Sequence, residues 1–408
     1  MSVTLRSGAL DIVGDGLTVD LAGGRTVRFA NLDYAASAPC VRVAADAVRE
    51  LLPFSGSVHR GTGLRSQTST LEYERARDAV AEFLGVRADD EVIFTRNTTD
   101  ALNLLARALP AGTTTIVFDG EHHANLLPWP SPLRLPSPAG PEQAVTALAE
   151  ALRTVSGPVL LAVTGASNVT GEIWPVRRLA DVAHAHGARV VVDAAQLAPH
   201  VPIDLAELGA DYLALSGHKL YAPFGAGVLA GRRDWLDAAG PYLRGGGASV
   251  AVDESVEWAT GPARHEAGTP NLLGAVALGA VCAALLRTDR DALHQHEQSL
   301  LARLDGGVTL FGGQAPRVGI VSFAVPDPAA VADRLARQHG IGVRAGQFCA
   351  HPLVRRLTGD AAGDCATTGL LRASFGLGTT ADDIDRLADA LAGASLVSMR
   401  GRGVAGTS

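Results

Sequence analysis

From about Ala44 to Leu286, apolar runs of roughly four to eight residues alternate with amphipathic stretches at helical spacing, and nothing else in the chain constrains its fold as strongly. A parallel strand buried on both faces reads as a continuous apolar run, and the crossover that returns the chain to the sheet is normally a helix. The pattern therefore predicts repeated βα units around a mostly parallel sheet. Glu91–Thr95 (EVIFT) predicts a strand, followed by a helix over Thr98–Leu109 with Thr98 or Thr99 at its start. Pro158–Thr164 predicts a second strand, and Val176–Gly187 the helix after it, closed by glycine. Ala188–Gln196 (ARVVVDAAQ) reads as a buried strand ending at Asp193, and Asp211–Lys219 (DYLALSGHK) as another ending near Ser216.

The 408 residues exceed one ordinary domain. Residues 1–30, with short apolar and Gly-rich pieces, are expected to form a hairpin or edge segment near a smaller domain. Residues 31–286 make the large domain. Residues 287–397 make a smaller α/β domain, with a strand at Val318–Val325 and a closing helix whose Thr380 and Asp383 resemble a capping box. Residues 398–408 lack an apolar period and are expected to be a flexible tail.

The formal charge of -7 and the lack of any basic block argue against nucleic acid as a partner. Apolar runs such as Leu272–Leu286 are too short or too rich in Ala and Gly to predict a membrane span, and the N-terminus lacks a signal-peptide pattern. A cytoplasmic location is the expectation. Cys40, Cys282, Cys349 and Cys365 are scattered without CxxC or metal-like spacing, so no metal site is expected and reduced thiols are the default.

Of the 35 lysine and arginine residues, only Lys219 is a lysine. A guanidinium stays protonated, whereas a buried amine can lose its proton and attack a carbonyl. An isolated lysine is ordinarily a solvated charge, and an aspartate after a strand is ordinarily a cap or turn residue. Here both follow predicted strands of one sheet, beyond whose carboxyl ends ligands bind, while helix N-termini beside them offer N–H groups to anions. Pyridoxal phosphate needs an amine for its Schiff base, an acid against its pyridinium nitrogen and a phosphate cradle. Lys219, Asp193, and Thr98 and Thr99 with Ser216 and His218 provide these in turn.

The segments VVVDAAQ (190–196) and ALSGHKLYAPFGAGVL (214–229) resemble the fold-type I pyridoxal phosphate enzymes of aminotransferase class V, and within them the SufS-type (group II) cysteine desulfurases and selenocysteine lyases. NLDYAASA, VHRGTG, TRNTTDALN, EHHANLLPW, SNVTGE, HEAGTPN, VRAGQFCAHPL and LRAS follow in the family's order, so the likeness runs from about Asn31 to Leu391. It implies a mostly parallel seven-stranded sheet in the large domain. It also implies that His122 stacks on the cofactor ring in preference to His123, that Asn168 and Gln196 bond the ring's phenolic oxygen, and that Thr99, Ser216 and His218 hold the phosphate. Thr269 would reach in from the second subunit of a homodimer, with His59 and Arg60 lining the entrance. Arg372 would bind the substrate carboxylate, a pairing that the planar guanidinium favours.

In these desulfurases a small-domain cysteine takes the substrate sulfur as a persulfide and leaves alanine, and Cys349 falls at that place, with Arg344 and His351 nearby as possible thiolate stabilisers. A free cysteine outside such a context is usually a small buried hydrophobe. The expected reaction is therefore L-cysteine to L-alanine, with the sulfur passed on to an acceptor protein. Carbon–sulfur β-elimination, epimerisation or transamination on a related amino acid are the alternatives, and an inactive scaffold is a third reading. Three departures touch the nucleophile's surroundings: Gln347 and Phe348 replace paired histidines, LDYAAS replaces LDNAAS, and an insert (TGDAAGDCATTG) containing Cys365 precedes Arg372.

Overall fold

The computed structural model describes residues 10–304, 311, 315–359 and 369–392. An N-terminal hairpin, β1 (Thr18–Asp20) and β2 (Thr26–Arg28), leads to β3 (Ala30–Asn31) and the helices α1 (Arg42–Leu51) and α2 (Leu64–Leu84). The sheet-forming part runs β4 (Asp90–Thr95), α3 (Thr98–Ala108), β5 (Thr114–Phe118), α4 (His123–Leu126), β6 (Leu133–Leu135), α5 (Pro141–Leu152), β7 (Val159–Thr164), α6 (Val176–Ala185), β8 (Arg189–Asp193), β9 (Tyr212–Ser216) and β10 (Gly227–Arg232). After α7 (Arg233–Ala238) and the ribbon β11 (Ser249–Val252) and β12 (Val256–Trp258), the apolar α8 (Leu272–Leu286) packs on α1 and α2. The remainder is α9 (Arg290–Leu304), β13 (Ile320–Phe323), α10 (Pro328–Arg334), β14 (Ile341–Gly342), β15 (Arg344–Gly346), α11 (His351–Thr358), β16 (Leu370–Ser374) and α12 (Ala381–Ala392).

The central sheet has seven strands in the order β4-β10-β9-β8-β7-β5-β6. Only β10 runs antiparallel to its neighbours; the other pairs are parallel. The Val- and Leu-rich strands β7 and β8 are buried almost throughout, as strands covered by helices on both faces must be. Gly227 opens β10 where a side chain is impossible, since a Cβ there would lie 2.5 Å from the Cα of Asn97. That close approach seats the start of α3 over the sheet.

A smaller three-stranded sheet, β13-β16-β15, packs against α9, α10 and α12 around Phe323, Phe375, Ile384 and Leu387. Ala30 and Leu32 are buried in this second core, and β3 pairs in parallel with β14. The chain just after the hairpin thus ties the two bodies together, and Leu32, on the large-domain side of the expected boundary, contributes to the small core. Arg28 adds an ion pair to Asp383 at 2.9 Å. Thr380 and Asp383 form a reciprocal cap: Asp383 Oδ2 accepts the Thr380 N–H at 3.0 Å, and Thr380 Oγ1 accepts the Asp383 N–H at 3.3 Å. Among the described residues no single helix is long and apolar enough to cross a membrane. The insert with Cys365 and the tail lie outside the described residues, apart from the insert's first two residues and its last.

Candidate active site

The strand ends of the central sheet and a turn from the small body enclose one cavity, whose lining includes Lys219, Asp193, His122, Asn168, Cys349 and Arg372. A larger cavity, about 390 Å³ against 210 Å³, lies beside Trp174 and Pro138–Pro141. Its lining is mostly apolar and holds no nucleophile, so chemistry rather than volume selects the smaller one.

Lys219 follows β9 and Asp193 ends the neighbouring β8, so their side chains share a buried region. Burial lowers the Lys219 amine to about 8; the Asp193 charge opposes that shift, and Arg372 reinforces it. Burial likewise raises the Asp193 carboxyl, against the pull of Lys219 and the Ala195 N–H, which donates to Oδ1 at 3.0 Å. The pair therefore provides a partly deprotonated amine beside an acid that gains from a cationic partner. His122 caps α4, its Nδ1 accepting the Ala124 N–H at 3.0 Å, which puts the ring proton on Nε2. Burial first, then the Lys219 charge, lowers this imidazole to about 3 and keeps it neutral. His123 is not part of the lining; its ring meets His351 edge-on at 4.5 Å.

Helix α3 starts at Thr98, as the spacing suggested, and its cap is Asn97, whose Oδ1 accepts the Asp100 N–H at 2.9 Å. A cap needs extended backbone before the first helical turn, and the threonines are already within that turn. Thr98 instead gives its N–H to Ser216 Oγ at 2.8 Å, joining the helix start to the end of β9. Thr99 and His218 complete this end of the lining. Burial lowers the His218 imidazole to about 4. Hydroxyls, a neutral imidazole and a helix N-terminus together suit a phosphate.

Cys349 also lines the cavity, in a turn where it and Phe348 both adopt left-handed backbone, with φ of 54° and 52°. Each such non-glycine residue costs on the order of 1 kcal/mol. The Cys349 carbonyl accepts the His123 N–H at 2.7 Å, and the thiol-bearing residue is exposed. Arg372, on β16, is buried; it donates from Nη2 to Asp33 Oδ1 and from Nη1 to the Asn168 carbonyl, both at 3.0 Å. Its Nε is buried with no hydrogen-bond partner among the described residues. A buried guanidinium in the lining of this cavity fits a ligand carboxylate. Of the lining residues Lys219, Arg344 and Arg372 are cationic and Asp193 alone is acidic, so the cavity fits a ligand that carries a phosphate and a carboxylate.

Other expected residues lie elsewhere or are otherwise engaged. Gln196 donates from Nε2 to the Ala35 carbonyl at 2.8 Å and is not part of the lining. The Asn168 amide donates to the Phe348 carbonyl at 2.8 Å. His59, Arg60 and Thr269 do not line the cavity of their own chain. Arg60 Nη2 bridges the carbonyls of Gly246 and Gly268, each at 2.9 Å, which groups it with the exposed Thr269. The sequence reading missed Asn97, Phe348 and Asp33. Asn97 was legible as an Asn three residues before Asp100 at a helix start, whereas Asp33 meets Arg372 across 339 residues without any local signal.

Comparison with known proteins shows the family and its fold. The model of the aminotransferase class-V family matches residues 30–387. A cysteine desulfurase of Klebsiella pneumoniae is 36% identical over 382 residues, covering 88% of this chain and 91% of that protein. Among solved structures, an apo cysteine desulfurase of Thermococcus onnurineus superposes with a TM-score of 0.81 at 31% identity. The Escherichia coli cysteine desulfurase CsdA, in an S-sulfonic acid form, gives 0.78 at 34%. Each covers 89% of this chain and 94% of its own.

Proposed function

The chain belongs to the aminotransferase class-V family, and from that premise we propose that it is a pyridoxal phosphate-dependent cysteine desulfurase, converting L-cysteine to L-alanine with the sulfur taken up on Cys349. The observation that carries this reading is one cavity whose lining holds both the buried amine of Lys219 and the exposed thiol of Cys349.

When bound, the cofactor supplies an electron sink for bond changes at the substrate's carbons. Lys219 would hold the cofactor covalently and, when free, would move the proton at the substrate α-carbon; its lowered pKa makes the free amine available near neutral pH. Asp193 would hold the cofactor's ring nitrogen, His122 its ring, and Thr98, Thr99, Ser216 and His218 its phosphate. Arg372, buried in the cavity lining, binds the substrate carboxylate. Cys349 Sγ attacks the substrate sulfur: the S–S bond forms, the C–S bond breaks with its electron pair left on the β-carbon, and that carbon takes a proton to give alanine. Cysteine and thiol become alanine and persulfide, so atoms and charges balance.

The reading extends to a homodimer in which His59, Arg60 and Thr269 complete the other subunit's site, since they do not line their own. The persulfide then passes to an acceptor protein. A cytoplasmic setting suits a thiol that must be reduced between turnovers. The test is product analysis from L-cysteine, comparing wild type with Cys349→Ser. Loss of alanine formation by at least about a hundredfold, with a persulfide on Cys349 in wild type, supports the reading. Alanine formed at the wild-type rate by Cys349→Ser rules it out, and pyruvate as the product identifies β-elimination.

A further inference from the structure

Asn168 stands where three parts of the site meet. Its backbone carbonyl accepts Arg372 Nη1 at 3.0 Å, while its Nδ2 donates to the Phe348 carbonyl at 2.8 Å. The Arg372 guanidinium closes the triangle, 4.7 Å from the centre of the Phe348 ring. What these two side chains hold is the left-handed backbone at Phe348 and Cys349, a conformation that non-glycine residues keep only where their surroundings impose it.

The holder is itself anchored. Ser167 Oγ accepts the N–H groups of Val169 and Thr170, each at 3.2 Å, and the Val169 carbonyl accepts Ser322 Oγ at 2.6 Å from the small body. Gly171, at φ +75°, lies against the Ile320 carbonyl, where a Cβ would be only 2.4 Å away. The Asn168 loop is therefore fixed to β13, and the strained turn hangs from it.

We propose that Asn168 and Arg372 form a latch on Phe348 that keeps the Phe348–Cys349 turn left-handed and the thiol in the cavity, making Asn168 a positioning residue for sulfur acceptance as well as a cofactor contact. The inference rests on Cys349 being the sulfur acceptor. A carboxamide has two N–H donors, so the one spent on Phe348 leaves another for a ring oxygen of the cofactor. Arg372 is divided in the same way between the Phe348 ring and the substrate carboxylate. The two side chains expected to hold cofactor and substrate thus also set the nucleophile.

The latch is tested without cofactor or substrate, by amide hydrogen exchange on cofactor-free wild type, Asn168→Ala and the near-isosteric Asn168→Asp. The reporters are the N–H groups of His123, bonded to the Cys349 carbonyl, and of Ala350, bonded to the Gln347 carbonyl. Both variants should exchange about tenfold faster at these amides, with β9 amides unchanged. Unchanged exchange at His123 and Ala350 overturns the latch, and so does an equal acceleration in β9. In single turnovers with L-cysteine, Asn168→Asp should slow persulfide formation on Cys349 more than substrate capture; equal slowing of both counts against the latch. If wild type forms no persulfide on Cys349, the desulfurase reading fails, while the exchange result still judges the latch.

Discussion

The wall carrying Asp193 and Lys219 and the turn carrying Cys349 face the same cavity by different physical routes. The wall is made of strand ends. Once β8 and β9 are in register, Asp193 and the loop to Lys219 must emerge together at the carboxyl ends of the strands, and neither residue has left-handed backbone, although Tyr221, two residues past Lys219, does at φ 61°. The turn rests on no such repeat. Its left-handed residues are kept by bonds to Asn168 and His123, both far away in sequence. Burial explains the chemistry of the wall, and imposed backbone geometry explains that of the turn. A wall change should therefore act on cofactor chemistry, and a turn change on sulfur transfer.

The largest expected effect breaks the wall outright. Lys219→Ala should abolish turnover and the visible absorbance of lysine-bound cofactor while circular dichroism stays native; normal turnover by this variant would defeat the whole assignment. Next comes a change confined to the turn. Phe348→Ala removes the buried ring under Arg372 and should slow alanine formation by about tenfold or more, with cofactor affinity within about twofold of wild type, measured by titration of the apoprotein. A loss of cofactor affinity as large as the loss of rate would dissolve the distinction between the two regions.

The third test uses the cost of burying the amine. The folded-state pKa of Lys219, about 8, lies below its ordinary value of 10.5, so between those values the unfolded chain binds more protons than the folded one. Stability of the apoprotein should therefore rise with pH through that window, by something on the order of 1–3 kcal/mol. Lys219→Met should lack the rise and be the more stable protein at pH 7, as chemical denaturation will measure; an identical pH profile in the two proteins would contradict the burial argument. The smallest effect is at the helix cap. Asn97→Ala should cost about 1 kcal/mol of stability and leave the Cys349 turn unchanged by hydrogen exchange.

Much of the wall was legible because its causes are local. Apolar runs of strand length located β4, β7, β8 and β9 to within a residue or two, and the lone lysine stood out against arginine everywhere else. The start of α3 at Thr98 was legible too, whereas its Asn97 cap, though an Asn directly before a helix start, was not singled out. Asn168 and Gln196 could be singled out only by resemblance, and their hydrogen bonds to Phe348 and Ala35 had no counterpart in any spacing. Arg372 was visible as a residue. Its division between Asp33, Asn168 and the Phe348 ring was not.

The sequence by itself determined the mostly parallel sheet, the strand ends that carry Asp193 and Lys219, and the one side-chain amine among its cationic residues. These follow from periodicity and from the fact that a guanidinium keeps its proton. Only the tertiary structure decided that Cys349 faces that amine. The backbone at Phe348 and Cys349 is unfavourable in isolation, and it persists through hydrogen bonds and packing between residues hundreds of positions apart, brought together when the two bodies close on each other.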